Sequence, residues 1–257
     1  MWSAAQPAPV NIGVMRHTES AMATIYAYVK IYENIDHAHD FMKGKLFMNT
    51  IRAFKEHRDE AGELRGDGCE GIIAWYQPKS VQVSIAGHTI PSADIAAPIP
   101  VHSNVVLRKN AFCIYSLNSR GHESVNAENL ADLKATLQIH ESCFGLGSHC
   151  VVVKNATEFK ERVEKAVRSL GYPGSLCLVD YFDEQTFSGN LPEDRWGYQK
   201  RSFFKHQREY RVLIDTELES PKPLFLEVGD LSDICFITTP DEFNSSIQLK
   251  LPDGSAA

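Results

Sequence analysis

The chain has 257 residues, with 33 acidic and 26 basic side chains and a formal net charge of −7. Hydrophobic residues make up 43% and charged residues 23%, which excludes wholesale disorder and leaves enough apolar surface for a core without a metal or disulfide staple. A net acidic chain lacks the concentrated positive field that a phosphate backbone needs, so no broad basic nucleic-acid surface is expected.

Residues 1–22 mix Ala, Pro, Ser and Thr without a period and read as a flexible tail, with Met22 a plausible alternative start. Residues 23–251 read as one domain and 252–257 as a frayed end. Residues 25–32 are aromatic and β-branched, as in a strand. Asn34 or Asp36 caps a short helix that Gly44 ends, residues 45–49 form a second strand, and Thr50 caps a helix to about residue 60. Glycines 62, 66, 68 and 71 then mark a loop.

Residues 80–85 alternate and turn at Gly87-His88 into a second short strand. Residues 91–100 read as loop, 105–107 and 111–117 as strands, and 126–135 as a helix. Residues 150–153 are a compact apolar strand. Residues 156–170 are the clearest helix, capped by Asn155 or Thr157, with Phe159, Val163, Val167 and Leu170 on one face and Gly171 as its stop. Strands follow at 176–181, 209–214, 224–228 and 234–237, with a helical reading over 196–204. This order predicts a single α+β domain, its mixed or largely antiparallel sheet flanked by helices.

Six cysteines are scattered, and Cys113, Cys177 and Cys235 sit inside apolar runs, where a free Cys acts as a small hydrophobe. No apolar run reaches spanning length and no leader-like segment opens the chain. A reducing cytoplasmic compartment and no membrane partner are therefore expected.

No phosphate-binding loop, dinucleotide fingerprint, nucleophile elbow or zinc-protease motif is present. Two segments concentrate charge. Arg65-Gly66-Asp67-Gly68-Cys69-Glu70-Gly71 places reactive side chains among glycines, which suits a close ligand approach or a solvated turn. Gln207-Arg208-Glu209-Tyr210-Arg211 opens an apolar strand. In extended backbone Gln207, Glu209 and Arg211 share a face, suiting either catalysis or a Glu209–Arg211 pair. The densest basic run, Lys200, Arg201, Lys205, Arg208 and Arg211, leaves room for a small anionic ligand. His140, Cys143, His149 and Cys150 have zinc-ligand types at unsuitable spacing. Cys69 beside an arginine, with His57 or His206 as base, is a further nucleophile candidate.

Four blocks carry a resemblance. They are the 28–32 strand with 45–49, the 66–71 turn, the 112–116 strand with 144–153, and Lys205-His206-Gln207-Arg208-Glu209-Tyr210-Arg211. Together they resemble an uncharacterised family of bacterial and phage-associated proteins carrying a domain of unknown function. Gln207-x-Glu209 also resembles the Gln/Glu-x-Glu element of mono-ADP-ribosyltransferases, although the Ser-Thr-Ser pattern is absent and the first strand offers Lys30 in place of Arg or His.

That second likeness implies NAD as co-substrate, no metal, and a macromolecular acceptor, as in a toxin or phage–host conflict protein. It implies Glu209 as the transition-state carboxylate and Gln207 as the acceptor-orienting group. Ser116, Tyr115, Lys30, Tyr32 and Arg65 would hold NAD. Two alternatives stay open. One is a non-catalytic sensor or binding module in which Arg65, Asp67, Glu70, Glu209 and Arg211 form a buried network. The other is a metal-dependent nuclease using Asp67, Glu70 and Glu209.

Overall fold

The computed structural model describes residues 23–57, 66–122 and 124–251. The expected tail, the frayed end and Arg65 lie outside the described residues. The rest is a single α+β domain built on several sheets.

The chain opens with β1 (Ile25–Tyr32), α1 (Ile35–Met42), β2 (Lys45–Thr50) and α2 (Ile51–Glu56). Asn34 caps α1 by accepting from the Asp36 amide at 2.8 Å, and Thr50 caps α2 by accepting from Ala53 at 3.1 Å. After the 66–71 loop come β3 (Ile72–Tyr76), the hairpin β4 (Val83–Ile85) and β5 (His88–Ile90), β6 (Ile99–His102), the single turn α3 (Asn104–Leu107) and the long β7 (Asn110–Asn118). Next are α4 (Leu130–Thr136), β8 (His149–Val153), α5 (Ala156–Leu170), β9 (Gly174–Leu178), β10 (Asp180–Phe182) and the two-residue β11 (Gly189–Asn190). The last elements are β12 (Gln199–Arg201), β13 (Glu209–Ile214), β14 (Leu224–Glu227), β15 (Cys235–Thr238) and α6 (Pro240–Ser246).

The main sheet has eight strands. Antiparallel pairings run β15–β8–β1–β7–β13–β9, and β2 joins the opposite end of β7 and carries β14. β1 follows β7 only as far as the Val29–Tyr115 pair. Beyond it the strands part, and Lys30 Nζ donates to the Cys113 carbonyl at 2.6 Å, satisfying an acceptor that a neighbouring strand would otherwise take. β10 and β12 pair parallel, and β3 is the middle of a small sheet between β6 and β11.

The pleat gives the main sheet two faces. On one, Tyr28, Phe112, Ile114, Val151, Tyr210 and Val212 pack under Phe41 of α1 and Phe159 and Val163 of α5. On the other there are two separate apolar clusters. One gathers Val29, Tyr115, Leu117 and Val152 under Leu133 of α4, Cys143 and Phe243 of α6. The other gathers Ala111 and Leu213 with Ile51, Val106, Leu107 and Tyr198. Between Tyr115 and Ala111 on this face the sheet projects Glu209 and Arg211, which pair in register with Tyr115 and Cys113.

Several expectations are corrected. Residues 105–107 are helical: Val106 and Leu107 bury against Ile51, and packing overrides the β-branched preference of a three-residue run. Residues 99–102 are a strand despite Pro100, which an edge position tolerates. Residues 196–204 are not one helix but β12 followed by a 3-10 segment over Ser202–Gln207. Among the described residues no helix is long and apolar enough to cross a membrane.

Candidate functional site

The apolar strand β13 needs a neighbour on each side, and β7 and β9 supply them, so Arg211 is held at the sheet centre with none of its surface exposed. A guanidinium there requires counter-charge. Glu70, from the 66–71 loop, provides it by accepting Nη1 and Nη2 of Arg211 on its two oxygens, both at 3.0 Å. Arg211 Nη2 also donates to Glu209 Oε2 at 2.7 Å, and Nη1 to the Gly197 carbonyl at 2.8 Å.

Lys200 of β12 closes the ring. Its Nζ donates to Glu209 Oε1 at 2.7 Å and to Gln207 Oε1 at 2.6 Å, and lies 3.3 Å from Glu70 Oε1. The same ammonium sits 4.6 Å from the centre of the Phe204 ring. Two carboxylates therefore meet two cations within one buried cluster. Beside it, buried Asp67 accepts from Arg201 Nη2 at 2.8 Å and from the Cys69 amide at 2.9 Å.

The electrostatics follow. Burial would raise the Glu209 carboxyl, but Lys200 and Arg211 outweigh it and hold the group ionised well below the usual range. Burial lowers Lys200, yet Glu209 and Glu70 reverse this and keep it charged. Asp67 goes the other way. Burial and the nearby Glu70 raise it more than the Cys69 amide and Arg201 lower it.

Two glycines permit this packing. Gly71 has φ +73°, and a Cβ there would stand 2.7 Å from Leu107. Gly197 has φ +90°, and a Cβ would strike Leu213 at 2.7 Å, displacing the carbonyl that Arg211 uses.

Gln207 and Glu209 do meet, but not through extended backbone. Arg208 between them adopts φ +43° and ψ +45°, and this left-handed turn brings both side chains to Lys200. The residues proposed to hold NAD do not gather around them. Tyr115 shares the Glu209 face and donates its hydroxyl to the Gln138 carbonyl at 3.1 Å. Ser116 pairs with Tyr28 and so belongs to the opposite face. It is fully buried, and its hydroxyl donates to the Arg208 carbonyl at 3.0 Å. Lys30 lies over the Phe112 ring and Tyr32 packs on Phe41, both on that opposite face. The sheet thus separates Ser116, Lys30 and Tyr32 from Glu209.

Asp67, Glu70 and Glu209 each face a cation, an arrangement unlike a carboxylate cage for a divalent ion. Cys69 packs against the Ile72, Trp75 and Leu191 cluster. The zinc-type residues are dispersed in role. Cys143 and Cys150 are core, and the exposed His140 caps its own turn by accepting from Ser142. The Cys143 thiol is pushed up to about 12 by burial and by Glu209. No group of three or more His, Cys, Asp or Glu among the described residues is arranged to hold a metal.

Sequence reasoning read Lys200 and Arg201 only as part of a basic run open to an anion, not as partners of Glu209, Glu70 and Asp67, and did not place Tyr181 at the site. The Tyr181 hydroxyl accepts the Glu209 amide at 2.9 Å. The signal for Lys200 and Arg201 was the basic run itself, which supplies counter-charge for Glu70 and Asp67, more than a hundred residues earlier. Two clefts, of about 450 and 400 Å³, lie elsewhere, beside α1 and α5. Comparison with protein-family models, with curated proteins and with solved structures finds no match.

Proposed function

We propose that the chain is a ligand-binding module in which the buried ionic cluster is scaffold, fastening the 66–71 loop and β12 to the central strand. The observation that carries this reading is the full engagement of Glu209. One carboxylate oxygen accepts from Lys200 and the other from Arg211. The cluster is electrically balanced and offers no net negative field for a developing cation.

The test is Glu209→Gln, followed by melting and by nicotinamide release from NAD. The scaffold reading expects a large fall in melting midpoint and no NAD consumption in either protein. NAD consumption that Glu209→Gln abolishes at an unchanged midpoint would overturn it.

One observation favours a second reading, an NAD-dependent mono-ADP-ribosyltransferase acting as a toxin or phage-defence protein. Gln207 and Glu209 converge on one ammonium, so the two residues of the Gln-x-Glu element share a locus. In that reading Glu209 stabilises the oxocarbenium-like transition state and Gln207 orients the acceptor. The same assay decides between the two.

A further inference from the structure

Just outside the balanced cluster the charge ceases to balance. Arg208 is the residue after the 3-10 segment, in a left-handed conformation that glycine or asparagine adopts far more readily. Its backbone is fully used. The amide donates to Lys205, and the carbonyl accepts from both the amide and the hydroxyl of Ser116. A glycine would make the same turn without strain, so the turn alone gives no reason for an arginine.

The side chain makes no ion pair among the described residues. Its Nη2 donates to the Asn118 carbonyl at 2.8 Å and to Asn118 Oδ1 at 3.3 Å, and Nε lies 3.5 Å from the Ser116 carbonyl. All three acceptors are neutral, and Nη1 is left without an acceptor among the described residues. The group is half-buried, and burial and neighbouring Arg120 lower its proton affinity while Tyr115 and Tyr181 raise it.

Arg120 is the second cation. Its Nη1 donates to the Val179 carbonyl at 2.9 Å and its Nη2 to Asp180 Oδ1 at 3.2 Å. Asp180 is not its own, because Arg195 takes the other oxygen at 2.7 Å. Arg120 and Arg195 thus share the one carboxylate of Asp180, while Arg208, which meets Arg120 at Asn118, has no carboxylate partner among the described residues. A guanidinium presents paired donors to two oxygens of one anion, and partial burial strengthens that contact.

We propose that Arg208 and Arg120 form a binding site for the anionic group of a small ligand, a phosphate or a carboxylate, at the C-terminal end of β7. This rests on the binding-module reading and gives that module its ligand class. The anion takes the open Nη1 of Arg208, supplies the missing counter-charge and brings the two arginines together. The strained turn holds the Arg208 fork in place before the ligand arrives.

The experiment is thermal unfolding and titration calorimetry of the full chain with inorganic phosphate and, separately, with citrate, against chloride at matched ionic strength. A ligand that binds only the folded state raises the midpoint by mass action. At tens of millimolar phosphate or citrate a saturable rise of about 3 °C is expected for a millimolar site. Arg208→Gly, which relaxes the turn, is expected to melt near the parent and lose the response. Arg120→Gln is expected to weaken the response at least several-fold, and Lys205→Gln, exposed on the same segment, to leave it intact.

A response to phosphate alone assigns a phosphate ester, and a response to citrate alone assigns a carboxylate. Failure of both anions to bind, or binding that survives Arg208→Gly, overturns the proposal. Neither result touches the scaffold reading of Glu209, which falls only if Glu209-dependent NAD turnover is found.

Discussion

On one face of β7 and β13, Phe112, Ile114, Tyr210 and Val212 meet Phe41 and Phe159. On the other face of the same strands, Glu209 and Arg211 meet Glu70 and Lys200. The apolar face is held by non-directional burial and dispersion, so any side chain of similar volume contributes similarly. The ionic face is conditional. Each charge is stable only while its partners are present, and these come from remote segments: Glu70 is 141 residues from Arg211. The apolar face therefore sets how stable the domain is. The ionic face sets which loop and which short strand must dock for the domain to be complete.

The sharpest way to break this comparison is Arg211→Met. It leaves Glu70 and Glu209 buried with Lys200 as their one remaining cluster cation, and a buried charge stripped of its partner costs about 3–5 kcal/mol. For a domain of this size the midpoint is expected to fall by roughly 10 °C, measured by calorimetry. Replacing Glu70, Lys200, Glu209 and Arg211 together by apolar residues of similar volume is expected to cost far less. If the quadruple variant is worse than Arg211→Met, the cluster is a net stabiliser in its own right and the conditional picture is wrong.

Acidification probes the same face with a definite sign. The Glu209 carboxyl lies below its unfolded value of 4.5 in the folded state. Its stabilisation is therefore complete above about pH 4.5 and is lost as the pH falls towards the folded value. Asp67 lies above its unfolded value of 3.8, so the folded chain takes up its proton first and gains stability over that window. The parent is expected to lose stability on acidification, and Asp67→Asn is expected to lose it more steeply. Urea unfolding across pH 3–7 measures both slopes, and a shallower acid limb in Asp67→Asn contradicts the assignment.

Much of this was readable locally. The caps at Asn34, Thr50 and Asn155, the stop at Gly171, the β4–β5 turn and the bounds of β13 all depend on neighbours a few residues apart. Pairing of Arg211 with Glu209 was also legible, because alternation along one strand puts them on one side. A buried network joining Glu70 to Glu209 and Arg211 was one of the open expectations, and the contacts of Glu70 with Arg211 form it. Less legible were the other partners that distant segments supply. Lys200 looked like one member of a basic run, yet its role is set by Glu209 and Glu70. Ser116, Lys30 and Tyr32 looked compatible with a pocket, but the pairing of β1 with β7 puts them across the sheet from Glu209. Arg208 looked like strand, and only its left-handed turn explains how Gln207 reaches Lys200.

Lys30→Met tests the seam between the faces. It removes the donor to the Cys113 carbonyl while keeping an apolar stem over Phe112. A buried acceptor losing its partner costs about 1–3 kcal/mol. The expected outcome is a moderate drop in midpoint with no change in any NAD or anion response. An unchanged midpoint with a lost NAD response would return Lys30 to a ligand site.

Ile114→Val is the smallest expected effect and the control that gives the others meaning. Ile114 lies one residue along β7 from Cys113, the partner of Arg211 in register, but points to the apolar face. Removing one methylene from a buried position costs about 1 kcal/mol, set by the transfer term and by how far the neighbours relax. Phe41, Phe112 and Phe159 form a stacked aromatic layer on that face, and small rotations of these rings can take up part of the lost volume. The midpoint is expected to fall by roughly 3 °C, with no change in the acid limb. A loss comparable to that of Arg211→Met would mean that the two faces are equally intolerant. The contrast between interchangeable burial and partner-dependent charge would then have to be abandoned.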